Sequence, residues 1–114
     1  DEIYEAVGKL AGQFPLLHCE ECAMALKQWL VRRKLRGKLW QLSTRYDDED
    51  FILSKQLEQM GCFDSITENG THYGTEVLDK IFDNLSKEGL SLDDWVKDFS
   101  SLSDEFDVDV IEEY

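Results

Sequence analysis

Apolar residues recur at helical spacing twice in the first third of the chain. Ile3, Ala6, Val7 and Leu10 share one face of a predicted helix over residues 2–11. Gly12 ends it, and Gln13-Phe14-Pro15 turns the chain. Cys22, Ala23, Leu26, Trp29 and Leu30 form a second stripe, which predicts a helix from Cys19 to Arg33. Glu20 and Glu21 supply its acidic first turn, Arg32 to Arg36 its basic end, and Gly37 its stop. The period then falls to two. Lys38–Thr44 alternates and predicts a strand. After the polar loop Arg45–Asp50 come a short strand at Phe51-Ile52-Leu53 and a helical turn over Lys55–Met60. Ser65-Ile66-Thr67 leads into a turn at Glu68-Asn69-Gly70. Thr71–Leu78 and Lys80–Asp83 then predict an antiparallel hairpin. Ser91-Leu92-Asp93-Asp94 resembles a capping box with Asp in place of Glu and opens a helix through Phe99. Beyond Ser100 the chain is acidic. Phe106, Val108 and Val110 alternate there, as an extra edge strand or a mobile tail.

Two helices followed by an antiparallel sheet predict an α+β fold, with the Cys19 helix packed on a small antiparallel sheet. The length suits one domain with one modest core, residues 1–114, with an N-terminal helix over 1–12 and an acidic C-terminal extension over 100–114. The start at Asp1 rather than Met predicts an excised piece of a longer protein. A net charge of −13 argues against nucleic-acid binding, which needs a basic face. The basic residues Lys27, Arg32, Arg33, Lys34, Arg36 and Lys38 read as a solvated helix face and its exit. No apolar run is long enough to span a membrane as a helix. Three cysteines, Cys19, Cys22 and Cys62, are an odd number, so at least one thiol is free, which fits a reducing place of action.

The chemistry-bearing residues are few. Cys19 opens the second helix, where the helix terminus favours a thiolate. Cys19 and Cys22 are equally readable as small buried hydrophobes. They are also half of a zinc site that Cys62 and His72 would complete, but no second paired knuckle exists and the pair lies on a predicted helix. No metal and no cofactor are therefore expected. His72 starts a strand between Gly70 and Gly74, whose bare backbone suits close approach of a substrate or a packed helix. Asp83, on the neighbouring strand, can hold the imidazole tautomer. That depends on register. A turn at Leu78-Asp79 sets Asp83 diagonal to His72 and within reach, whereas a turn at Asp79-Lys80 carries it too far. Gln13 is either an ordinary surface residue or an oxyanion donor alongside the Cys19 backbone N–H. Trp29, Trp40 and Trp95 read as core or cleft walls.

Gln13 and Cys19, with five residues between them, have the spacing of the oxyanion Gln and nucleophile in papain-like cysteine peptidases. Cys19-Glu-Glu-Cys22-Ala23, Ser65-Ile-Thr-Glu-Asn-Gly-Thr-His72-Tyr-Gly, and Phe82-Asp83-Asn84 with Gly89 and Trp95 together resemble the papain-fold toxin 2 domain. That family comprises C-terminal toxin modules of bacterial polymorphic toxin systems. The resemblance covers roughly residues 13–99. It implies a papain-like fold and a Cys-His-Asp triad of Cys19, His72 and Asp83, with Gln13 at the oxyanion and Cys22 as the alternative nucleophile. It also implies effector activity as a peptidase, deamidase or acyl-transfer enzyme on a protein substrate in a target cell. Delivery as part of a larger toxin, action in the target-cell cytoplasm and a cognate immunity protein go with it.

Overall fold

The computed structural model describes residues 2–114; Asp1 lies outside them. Two helices come first, α1 (Glu2–Ala11) and α2 (Cys19–Arg32). A five-stranded antiparallel sheet follows, built from β1 (Lys38–Thr44), β3 (Thr71–Val77), β4 (Lys80–Asp83), β5 (Ser86–Leu90) and β7 (Phe106–Glu113) in the spatial order β5-β4-β3-β1-β7. Between β1 and β3 lie β2 (Leu53–Ser54) and α3 (Lys55–Gln59). α4 (Leu92–Lys97) and β6 (Phe99–Ser100) follow β5, and β6 pairs with β2 as a separate two-stranded ribbon.

The sheet separates two apolar clusters. Val7, Ala11, Cys22, Leu26 and Leu30 of the first two helices pack with Val77 and Phe82 on one face. Leu42, Ile52, Ile66, Ile81, Trp95 and Phe99 fill the other. Consecutive residues Ile81 and Phe82 point into opposite clusters, as alternation along a strand requires. The first cluster takes Val7, Cys22, Leu26 and Leu30 from the apolar stripes of the first two helices, with Ile3, Leu10 and Trp29 packed against it, so hydrophobic burial rather than helix propensity holds these elements in place.

Several local features differ from the sequence expectation. α2 stops at Arg32, and Lys34, at φ 57°, takes the left-handed residue expected of Gly37. Gly37 instead passes close to its neighbours: a Cβ there would lie 2.8 Å from Leu30 Cδ1. Ser86–Leu90, which carries no strand signal, pairs with β4 and packs against α1. The helix after Ser91 ends at Lys97, so Phe99 belongs to a strand. Its N-cap is as expected, Ser91 Oγ accepting the Asp94 N–H at 3.2 Å. The acidic tail takes the first of its two readings: β7 pairs with β1 along its length, with a bulge opposite Leu39/Trp40.

The β3–β4 turn matters most for the site. Val77 pairs with Lys80, Glu76 with Ile81 and Thr75 with Phe82, so the loop is Leu78-Asp79. Both loop residues are left-handed, at φ 48° and 70°, as the favoured two-residue hairpin turn demands. Asp83 therefore ends β4 level with Gly74, two residues along β3 from His72. Below that level the first residues of β3 have no strand neighbour on the β4 side.

Candidate active site

His72 lies on β3, on the face opposite α1 and α2, and is completely buried. Its ring lies 6.0 Å from the Trp95 ring and 5.1 Å from that of Phe99, so aromatic walls exclude water from it. Its Nε2 is 2.8 Å from Asp83 Oδ2. Asp83 is equally buried and accepts three further bonds. Trp95 Nε1 donates to Oδ2 at 2.8 Å, and the backbone N–H groups of Leu85 and Ser86 donate to Oδ1 at 2.9 and 2.7 Å. All four partners are donors, the environment of an ionised carboxylate. Burial pushes the Asp83 carboxyl up, but the bonds and charge of His72, with the Trp95 and backbone donors, outweigh it and hold the carboxyl below its usual range.

The same balance acts on the imidazole. Burial pulls His72 down. The hydrogen bond and negative charge of Asp83, with a further contribution from the Cys19 side chain, overcome it and raise His72 to about 9. With Nε2 committed to Asp83, Nδ1 is the nitrogen left for chemistry, and it has no hydrogen-bond partner among the described residues.

Cys19 is the first residue of α2, buried but for 7 % of its surface. It lines a cleft of about 270 Å³. Leu17, Glu20 and Glu21 line the cleft on the α2 side, Ile66 to Asn69 and Thr71 on the side of the loop entering β3. That loop is fixed by its own bonds: Thr67 Oγ1 to Asp50 O at 3.1 Å, Gly70 N–H to Thr67 Oγ1 at 3.1 Å and Thr71 N–H to Asn69 Oδ1 at 3.1 Å. The approach to α2 is fixed too, since Asn84 Nδ2 donates to Pro15 O at 2.9 Å and ties the turn before Cys19 to the corner beside Asp83. The N-cap of α2, His18, makes no side-chain cap, so the positive end of the helix dipole is left at Cys19 without that shield.

The other candidates fall elsewhere. Cys22 faces the first cluster, 1 % exposed, with Ala11 O 3.9 Å from its sulfur. Burial first, then the charges of Asp83 and Cys19, push its thiol up to about 12, which keeps it protonated and unreactive at neutral pH. Gln13 is exposed on the turn after α1 and is not among the residues lining the cleft. Cys62 is half-buried beside Asp64, at 3.8 Å. Among the described residues no group of three or more His, Cys, Asp or Glu side chains gathers as a metal site. The flanking glycines serve packing rather than substrate approach. A Cβ on Gly74 would lie 2.6 Å from Ile81 Cγ2 and 2.8 Å from Trp95 Cζ2, and one on Gly70, at φ 74°, 2.6 Å from Glu49 O. Gly74 thus lets the Trp95 ring lie against β3 with its N–H on Asp83. Trp95 and Asn84 are the residues whose polar contacts the sequence reading did not supply; the signal was Asn84 directly after Asp83, and an indole that needs a partner wherever it is buried.

Helices packed on a small antiparallel sheet, with a helix-start Cys and a strand-borne His and Asp, define the papain-like class. Within it, the family model for Papain fold toxin 2 matches residues 2–100, and the chain belongs to that family. No curated protein and no solved structure matches the chain. No helix among the described residues is long and apolar enough to cross a membrane.

Proposed function

We propose that this domain is a toxin effector that hydrolyses amide bonds, as a peptidase or deamidase, with Cys19 as nucleophile, His72 as base and Asp83 as its orienting partner. The observation that carries this reading is the buried His72–Asp83 bond, which commits one ring nitrogen and leaves the other without a hydrogen-bond partner among the described residues, on an imidazole that the Cys19 side chain helps to raise. With His72 raised to about 9, the imidazole already holds the proton near neutral pH, and Cys19 Sγ attacks the carbonyl carbon as the thiolate of that pair. The oxyanion that forms is held by the Cys19 backbone N–H at the helix start, with Gln13 as the proposed second donor. On collapse, the C–N bond breaks and His72 returns the proton to the leaving amine, or to ammonia in a deamidation, leaving a thioester on Cys19. Water then attacks, giving a proton to His72, and release of the carboxylic acid restores the thiolate–imidazolium pair. Asp83 stays ionised throughout and stabilises the imidazolium. The high proton affinity of Cys22 and its place in the core support Cys19 over it.

The domain acts on a protein substrate in the target-cell cytoplasm after delivery as part of a larger bacterial toxin. A cognate immunity protein covers the cleft or its rim, protecting the producer. Expression in a bacterial cytosol tests the catalytic reading. The wild-type domain should arrest growth, and Cys19→Ala and His72→Ala, at matched expression and with the fold verified by circular dichroism, should not. A noncatalytic interaction module with this fold would leave the Cys19 variant as toxic as the wild type, and that result sinks thiol catalysis.

A further inference from the structure

Three carboxylates, Glu20, Glu21 and Glu68, line the cleft over Cys19, and no Lys or Arg does. They stand on both walls, two on the first turn of α2 and one on the loop entering β3. Glu21 is paired with His18, its Oε2 3.0 Å from Nδ1. Glu20 and Glu68 are exposed and have no hydrogen-bond or ion-pair partner among the described residues. Each wall also carries apolar surface: Leu17, which is 44 % exposed, on the α2 side, and Ile66, part of the second cluster, on the loop side. Cys19 sits at the same cleft, its side chain in the wall and more than nine-tenths buried. The fully buried His72, which the Cys19 side chain helps to raise, keeps Nδ1 without a hydrogen-bond partner among the described residues. A carboxylate pair alone is a solvated rim. Here it brackets a buried thiol and an apolar strip.

We infer that this cleft takes a polypeptide segment carrying a basic side chain, Lys or Arg, next to the carbonyl that Cys19 attacks. The inference rests on the thiol-hydrolase reading above. A long basic side chain matches the wall in two parts: its methylene stem covers Leu17, and its charged end reaches the unpaired Glu20 and Glu68. An acidic side chain in the same place meets like charge from both walls, and an uncharged one of equal length gains only the apolar contact. Each carboxylate remains open to solvent, so each contributes modestly; two acting together give a preference of about tenfold over the uncharged stem, more over an acidic one, and the preference falls with salt.

The test uses three acetylated peptidyl chloromethyl ketones that differ only in the residue beside the ketone: arginine, norleucine or glutamate. In each, the Cys19 thiolate displaces chloride and forms a thioether, and intact-mass kinetics with peptide mapping read the second-order rate at Cys19. The arginine probe should react about tenfold faster than the norleucine probe, and the glutamate probe slowest. The double variant Glu20→Gln/Glu68→Gln should bring the arginine and norleucine rates together, whereas Glu88→Gln, a loss of charge on β5 outside the cleft, should leave the preference intact. Equal rates for the three probes on the wild-type protein, with Cys19 labelling still dependent on His72, overturn the basic preference and leave thiol catalysis standing. An arginine preference that persists in the double variant overturns the assignment to these carboxylates. Failure of all three probes and of iodoacetamide to label Cys19 in the folded protein overturns both readings.

Discussion

Asp83→Asn changes one atom of the buried pair and should reverse the pH dependence of stability. In the wild-type protein His72 is raised from 6.5 to about 9. A base raised on folding contributes stability that is complete below its unfolded value of about 6.5 and is lost as pH climbs through about 9. At about 1.4 kcal/mol per tenfold change in proton affinity, the contribution is about 3 kcal/mol. Asp83 is lowered on folding, so its contribution is present above about pH 4 and fades as pH falls through its folded value. Between about pH 4 and 6.5 the pair therefore contributes most. With Asn at position 83, the amide presents an N–H₂ toward donors on at least one side, His72 and Trp95 or the Leu85 and Ser86 N–H groups. The larger of the two partners that raised His72 loses its charge, burial dominates over what Cys19 still contributes, and the folded protein holds the imidazole neutral. Loss of the ion pair with a polar mismatch left behind costs about 3–5 kcal/mol near pH 6, a large share of a small domain's stability. The slope changes sign as well. Wild-type stability should fall from about pH 6.5 to 9, whereas that of the variant should rise from about pH 5 to 6.5 and then level off. Urea unfolding followed by tryptophan fluorescence at constant ionic strength across this range reads both. A variant within about 1 kcal/mol of wild type at pH 6, or one that keeps the wild-type decline above pH 6.5, would refute the ionised-pair account.

Gly74→Ala should cost about 1–3 kcal/mol in the same unfolding assay, because its Cβ would displace Ile81 and the Trp95 ring, and a neutral result would mean that Trp95 has room to move. Cys22 should resist iodoacetamide in the native protein near neutral pH and react only on unfolding, while Cys19 reacts in a His72-dependent manner; peptide mapping separates the thiols, and native labelling of Cys22 would reopen it as the nucleophile. The net charge of −13 favours capture by an immunity protein with a basic binding face, so the association rate of the purified pair should fall about tenfold or more from low to high salt. A rate indifferent to salt removes electrostatic steering, and a complex that leaves Cys19 freely alkylated removes occlusion of the cleft.

The two long helices, β1 and the β3–β4 hairpin were legible because each buries one face, and burial imposes a period that the residues must keep. The α+β arrangement followed from their order, and its papain-like character from the resemblance carried by the blocks around Cys19, His72 and Asp83. The hairpin register was not legible: Leu78 and Asp79 both take left-handed backbone, which no Leu advertises, and only the pairing of Val77 with Lys80 reveals it. β5 was missed because Ser-Lys-Glu-Gly-Leu is polar; its strand geometry comes from β4 and α1, a tertiary cause with no local trace. At the site, residue types and spacing singled out Cys19, His72 and Asp83. Spacing could not show that Trp95 and two backbone N–H groups complete the carboxylate's bonds, nor that Gln13 stands outside the cleft lining. Those facts belong to contacts between elements distant in sequence.

The family match ends at residue 100, yet the sheet does not. β7 covers the free side of β1, setting Phe106 and Val108 against the second cluster and Tyr114 against the first. A domain trimmed to the matched stretch would leave β1 bare, with Leu39, Trp40 and Leu42 beside a row of unpaired peptide groups. Such a strand is a template on which further copies of the chain can add, so the trimmed form should precipitate rather than merely weaken. The acidity of the tail then has a second use. With β7 outermost, the exposed Asp109 and Glu113 put like charges along the new rim, and self-addition stops there.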